Sequence, residues 1–155
     1  MMRRNDRALD FPAILDLLDR CHIVRLAMLD GKEPYIVPLN YGYTCDGDVI
    51  TLYCHSAKAG RKLDVMQKSP LVGFEMDADY LLQEHEEACQ HSNLFSSVVG
   101  TGEFELLSGE QAKSALTVLM RHQTGRDFTF TDAQISSIAV FAIHVKSISG
   151  KAKLK

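Results

Sequence analysis

The stretch that decides the fold runs from Tyr35 to His55 and reads YIVPLNYGYTCDGDVITLYCH. Two runs rich in Val, Ile, Leu and Tyr, 35–43 and 49–55, flank Asp46-Gly47-Asp48. Asp-Gly readily supplies the positive φ values that a tight hairpin turn demands. Upstream, His22 to Leu29 is a third run of the same kind, set off by Asp30-Gly31-Lys32, so the three read together as a β-meander. Pro38 stands in the middle of its run and has no N–H to give to a ladder. That puts the strand at an edge or a split in the sheet, where unpaired backbone groups can meet a ligand. Asn40 adds a side-chain amide there, although the run taken alone is also that of an ordinary edge strand.

Working outward, Phe11, Ile14, Leu15 and Leu18 fall at helical spacing behind Asp10, a suitable N-cap, and predict an amphipathic helix over 10–20. Residues 58–67 carry helix formers, and Pro70 ends that segment. Leu71 to Met76 and Phe95 to Leu107 restart the strand pattern, with Gly100 and Gly102 suited to a bend or bulge. Between them lies a polar insertion, 77–94. Ser108 followed by Gln111 forms a capping-box pattern for a helix to about Gln123. Thr131 and Gln134 suggest one more helical turn, and Ile138 to Ile148 is a last strand. Hairpin-joined strands with helices between groups of them argue for a β-dominated α+β class, a six-stranded antiparallel barrel with peripheral helices.

The chain has 155 residues, 46% of them apolar, with 17 Lys and Arg against 20 Asp and Glu and a formal charge of -3. One domain over 1–155 is expected, since about 70% of the unfolded surface can be buried at this length without disulfide or metal. Scattered charge leaves no footprint for a nucleic-acid backbone; outside the first seven residues the one cationic cluster is Lys151, Lys153 and Lys155. No run approaches the 18–20 apolar residues of a membrane span, and no signal-type segment follows the N-terminus, so a cytoplasmic location is expected. Cys21, Cys45, Cys54 and Cys89 make no Cys-x-x-Cys pair and read as reduced, mostly buried residues.

The stretch richest in chemistry is His55-Ser56-Ala57-Lys58-Ala59-Gly60-Arg61-Lys62, which leaves a strand and opens a helix. A phosphate fits it: Ser56 offers a hydroxyl, Gly60 lets the backbone come close, Arg61 and Lys62 bring charge, and the helix start presents free N–H groups. Composition alone is equally compatible with a solvated basic turn. The Gly-Lys-Ser ending of a Walker motif is absent, which argues against nucleotide hydrolysis.

Together these stretches resemble the pyridoxamine-phosphate-oxidase-like flavoproteins, and among them the branch related to nitroimidazole-resistance reductases. The resemblance covers residues 2 to about 151. It is carried by Met2-Arg3-Arg4 with Asp6-Arg7, by Pro34 to Tyr41, by His55 to Asp64, by Pro70-Leu71-Val72-Gly73-Phe74-Glu75, by Ser96 to Gly102 and by Ile148-Ser149-Gly150-Lys151. It implies an FMN-binding split barrel that acts as a homodimer with the flavin in a groove between subunits. On the resemblance, Val37, Pro38, Leu39 and Asn40 line the isoalloxazine ring, partly through main-chain groups. His55 and Ser56 approach the ring and the ribityl phosphate, Arg61 and Lys62 hold the phosphate, and Ser97 and Val98 come from the second subunit. Phe95-Ser96-Ser97-Val98 stands where the family often has Tyr-Arg-Ser-Val, which removes a cation near the groove. The Arg and His arrangement that pyridoxamine phosphate oxidases use near the C-terminus is missing, so vitamin B6 oxidation is not the expected reaction.

The function implied is an FMN-dependent oxidoreductase that passes reducing equivalents from NADH or NADPH to a small-molecule acceptor such as a nitro compound. Because the cofactor carries such chemistry, no acid/base pair need show in the sequence. A flavin- or haem-binding carrier or sensor without turnover is the alternative from another class, and a structural dimer with an empty groove is a third. His85, Cys89 and His91 fit no standard zinc spacing, and no metal is expected. Gly100-x-Gly102 lacks the third glycine of a dinucleotide fingerprint. His22, His122 and His144 read as structural or solvated.

Overall fold

Side chains alternate between core and solvent along most of the strands, and that alternation rolls the chain into a ring. The computed structural model describes residues 4–154; Met2 and Arg3 of the N-terminal motif and Lys155 of the basic tail lie outside them. After a 3-10 turn at Asn5–Arg7, the order is α1 (Phe11–Arg20), β1 (Ile23–Asp30), β2 (Glu33–Asp46), β3 (Val49–Ala57), α2 (Arg61–Lys68), β4 (Leu71–Gln83), a 3-10 turn at Ala88–Gln90, β5 (Ser92–Leu107), α3 (Gly109–Thr124), α4 (Asp132–Ser136) and β6 (Ile138–Lys153). The strands are antiparallel and close in the order β1-β2-β3-β6-β5-β4, the six-stranded arrangement expected.

Val24, Leu26 and Met28 of β1, Ile50, Leu52 and Cys54 of β3, and Val72, Phe74 and Met76 of β4 point inward. Ile14, Leu17 and Leu18 of α1 complete this core. Fully burying each such side chain stabilises the fold by about 1.5–3 kcal/mol. Asp10 caps α1 by accepting from the Ala13 N–H at 3.0 Å, as its sequence signal predicts. The first part of β6, Ala139–Ile143, shows no alternation because it is covered on both sides. Phe141 and Ile143 face the barrel core, whereas Val140 joins Ala112, Ala115 and Leu116 of α3 in a second cluster outside the barrel wall.

Helix α3 lies close on β2. A Cβ added at Gly42 would sit 2.6 Å from Leu119 Cα and 2.8 Å from Val118 O, so glycine sets the distance between helix and strand. The β5–β6 ladder shifts register between Thr101 and Gly102, where the sequence placed a bulge.

Several boundaries differ from the sequence reading. The stretch 77–94 is mostly strand: β4 and β5 continue as a hairpin through Leu81↔Leu94 and Gln83↔Ser92, past a bulge at which Asp79 has φ 64°. Backbone pairing propagates along a hairpin whatever the polarity of its side chains, so the polar composition misled. β6 likewise runs to Lys153 because β5 pairs with it throughout. The Ser108 side chain makes no cap; Gly109 at φ 56° breaks the geometry that would aim its hydroxyl at the helix. The capping box forms at Thr131 and Gln134 instead. Cys21 and Cys54 are buried, but Cys45 and Cys89 are exposed; all four are free thiols.

Candidate functional site

The ring is not evenly knitted. β1 holds β2 from Glu33 to Asn40, whereas β3 holds β2 only from Tyr41 to Asp46. Past the pair Tyr41↔Cys54 the two strands separate. His55, Ser56 and Ala57 keep only their β6 partners Val140, Ala139 and Ile138. The wall is therefore split between Val37–Asn40 on one side and His55–Ala57 on the other, and each side has β-strand backbone with a ladder along one edge only. The two stretches singled out in the sequence are the two banks of this split. Pro38, with no N–H to offer a neighbour, lies on one of them.

Alternation distributes their side chains. Val37 is buried and Leu39 half-buried in the core, and Pro38 and Asn40 are exposed. His55 is exposed and opens on a small cleft with Leu116, Met120, Phe130, Gln134 and Ile138. Ser56 is buried, its hydroxyl donating to Ala57 O at 3.0 Å. His55 and Ser56 thus leave β3 on opposite faces.

Gly60, at φ 148° and ψ 164°, occupies a region nearly restricted to glycine and opens α2. A Cβ there would meet nothing within 4 Å, so the helix start faces open space. Arg61 turns away toward β1 and β2: its Nε donates to Asp30 at 2.9 Å, Nη2 lies 3.4 Å from Glu33, and the guanidinium stacks 4.3 Å above the Tyr35 ring. Lys62 is half-buried and, among the described residues, makes no hydrogen bond or ion pair. Lys58 donates to Ser136 O at 2.8 Å. The cation left for an anion at this corner is Lys62.

The other end of the β2 bank is tied to the last turn of α3. Asn40 Nδ2 donates to His22 O and to Gln123 Oε1, each at 3.3 Å. Gln123 Nε2 donates to His22 O at 2.9 Å and Tyr41 O at 2.8 Å. Beside it, His122 Nε2 lies 2.7 Å from Cys21 O and its ring packs 4.8 Å from that of Tyr41. Sequence reasoning missed Gln123, whose contacts are with strands more than 80 residues away.

Tyr41, Tyr43 and Cys54 hold their protons at neutral pH. Burial raises the Tyr41 phenol well above its usual range, and burial and then Asp19 do the same for Tyr43. Burial pushes the Cys54 thiol up to about 12, so it is no thiolate nucleophile. The site offers backbone edges, one unpaired cation and one amide: equipment for holding a polar ring and an anion.

Ser97 and Val98 are on β5, two strands from the split in the ring order. Ser97 sits between Asp77 and Lys151 and is half-buried, and Val98 is 0% exposed. One chain does not bring them to the split. In place of the cation often found before Ser97, Ser96 is buried and hydrogen-bonds Asp79, which also takes Arg20 Nη1 at 2.7 Å. His91 Nδ1 lies 3.2 Å from Glu87 O, and among the described residues no three His, Cys, Asp or Glu side chains are arranged to hold a metal. No helix among them is long and apolar enough to cross a membrane.

Residues 10–152 match the family described as pyridoxamine 5'-phosphate oxidase. Among solved structures, a candidate 5-nitroimidazole antibiotic resistance protein from Bacteroides thetaiotaomicron is similar at 26% identity and TM-score 0.81, over 94% of this chain and 86% of that one. A FAD-binding protein from Mesorhizobium loti is 27% identical at TM-score 0.67, over 95% and 97%. A FAD- and haem-binding protein from Mycobacterium smegmatis has the same fold at 16% identity and TM-score 0.81, over 94% and 72%. No curated protein matches the chain.

Proposed function

The chain belongs to the pyridoxamine 5'-phosphate oxidase family, and on that premise we propose that it binds FMN at the split between Val37–Asn40 and His55–Ala57 and serves as an oxidoreductase. The observation that carries this is the split itself: two half-paired strand edges meet the open start of α2, with Lys62, unpartnered among the described residues, at one end and Asn40 at the other. Backbone N–H and C=O groups suit the polar edge of an isoalloxazine ring, and a helix start with a lysine suits a terminal phosphate. The Mesorhizobium relative, named as FAD-binding, supports a flavin, and the Bacteroides relative, named for 5-nitroimidazole resistance, supports a nitro compound as substrate.

FMN is the form proposed because the start of α2 with Lys62 suits a single terminal phosphate and the sequence has no dinucleotide fingerprint. The Mesorhizobium relative, by its name, favours FAD as the second reading. A bound flavin would supply the electron chemistry, and the protein would orient the ring, anchor the phosphate and control access.

The site is completed in this proposal by a second copy of the chain, which supplies the β5 segment at Ser97. In support, the outer wall of β2, β1 and β4 carries exposed apolar residues beside the Arg25–Glu75 and Arg25–Asp77 ion pairs. Ile36 is 62% and Leu71 58% exposed, and the small residues Ala27 and Gly73 lie in register with Ile36. The test of the enzyme reading is the absorption spectrum of the purified protein followed under anaerobic NADH or NADPH. Flavin bands that bleach, and recover on adding a nitroaromatic compound, are expected. Flavin bands that neither nucleotide bleaches would leave a carrier or sensor and overturn the oxidoreductase.

A further inference from the structure

The polarity of the Asn40 amide is fixed by its surroundings. A side-chain amide can in general be turned either way, but two backbone carbonyls remove the choice here. His22 O and Tyr41 O both accept from Gln123, so the atom facing them must be its Nε2, and its Oε1 must then face Asn40. His22 O also faces Asn40, and Gln123 Oε1 is a second acceptor beside it, so the Asn40 atom turned to both must be Nδ2. Both ends of the network are anchored on main chain, and neither amide can flip without setting oxygen against oxygen. Asn40 Oδ1 is what remains. Among the described residues no donor reaches it, and Asn40 is exposed on the bank of the split.

We infer that Asn40 presents a hydrogen-bond acceptor to the ligand in the split and that Gln123, from α3, is the positioning residue that keeps it so. The inference rests on the flavin reading above and deepens it. Oxidised isoalloxazine has several acceptors but one ring donor, the N3–H of its pyrimidine edge. An amide oxygen held outward selects that edge; an outward amide NH2 would select the ring's carbonyl oxygens instead. Gln123 touches no ligand in this account. Its role is to make the Asn40 oxygen available.

Titration of apo-protein with FMN and with 3-methyl-FMN, which lacks the donor, tests this. The wild type is expected to bind 3-methyl-FMN about three- to tenfold more weakly than FMN, the worth of one neutral hydrogen bond. Asn40→Ala should weaken FMN and bring the ratio of the two dissociation constants close to one. Gln123→Leu should narrow the same ratio with Asn40 still present, a readout that general destabilisation would not move because both ligands would suffer alike. A ratio near one in the wild type, or a ratio unchanged in Asn40→Ala, would overturn the acceptor role, and one unchanged in Gln123→Leu the positioning role. Failure of the wild type to bind FMN at all would show in the first titration and overturn the flavin reading itself.

Discussion

Tyr41 and Cys54 are the last paired residues of the β2–β3 ladder before the two strands part. Both are fully buried, and the Tyr41 hydroxyl donates to Leu18 O at 2.7 Å, which ties the fork of the split to α1. A buried phenol that lost that acceptor would be left unsatisfied at a cost of about 1–3 kcal/mol, so the point at which the wall opens is strongly determined. The ligand site starts where the ladder stops.

Lys62→Ala should weaken FMN binding far more than Lys58→Ala, although the two cations belong to the same short string. Among the described residues Lys62 has no partner, whereas Lys58 is engaged with Ser136 O. Loss of a charge-assisted bond to a phosphate costs on the order of 1.5–3 kcal/mol, about one to two decades in affinity. Loss of a lysine that contributes only screened attraction costs a few tenths of a kcal/mol, of order RT or less. Titration of both apo-variants at one salt concentration checks this; equal losses would put the phosphate elsewhere.

Gly42→Ala should destabilise the fold by about 1–3 kcal/mol, as overpacking does. The new Cβ would press on the backbone of Leu119 and Val118, which cannot rotate aside, and α3 would have to lift from β2. Because α3 carries Gln123, the same variant should also lose FMN affinity. Urea unfolding with an unchanged midpoint would contradict the close approach.

Asp79→Asn should lower stability at neutral pH and leave it nearly unchanged in strong acid. The Ser96 hydroxyl and then Arg20 hold the Asp79 carboxyl below its ordinary value of 3.8. A group whose pKa is depressed by folding contributes above its unfolded value and loses that contribution as pH falls through the folded one, so the window lies below about 3.8. At a site this exposed the ionic part is about 0.2–1 kcal/mol. Unfolding free energies of wild type and variant that differ equally at pH 7 and pH 2.5 would show that the charge is not responsible.

Light scattering of the flavin-loaded protein should give twice the chain mass. An interface over the outer wall of β1, β2 and β4 should bury about 2,000 Å² or more, as permanent dimers do. Substituting Ile36, 62% exposed, by Lys should shift the mass toward the monomer and release flavin in parallel. A monomer that retains FMN would contradict the shared site.

The barrel was readable because turn chemistry and Pro38 are local signals: Asp46-Gly47 marked the hairpin, and the missing N–H marked the half-paired strand. One bank of the split was legible from Pro38, and the other from the phosphate-type string that begins at His55. The β4–β5 arm was not, because Asp77, Asp79 and Gln83 resemble a loop while the backbone pairing that makes them strand leaves no mark on residue type. Gln123 was invisible on similar grounds: its partners His22 O and Tyr41 O are main-chain atoms, which any residue supplies. The engagement of Arg61 by Asp30 and Glu33 depends on how β1 and β2 fold back beside α2, which no spacing in the string 55–62 reveals.

Chromatography of the cofactor released from the purified protein tests the central claim most directly. FMN, close to one molecule per chain, is the result the split, the open start of α2 and Lys62 predict. FAD as the sole flavin, or haem with no flavin, would contradict it.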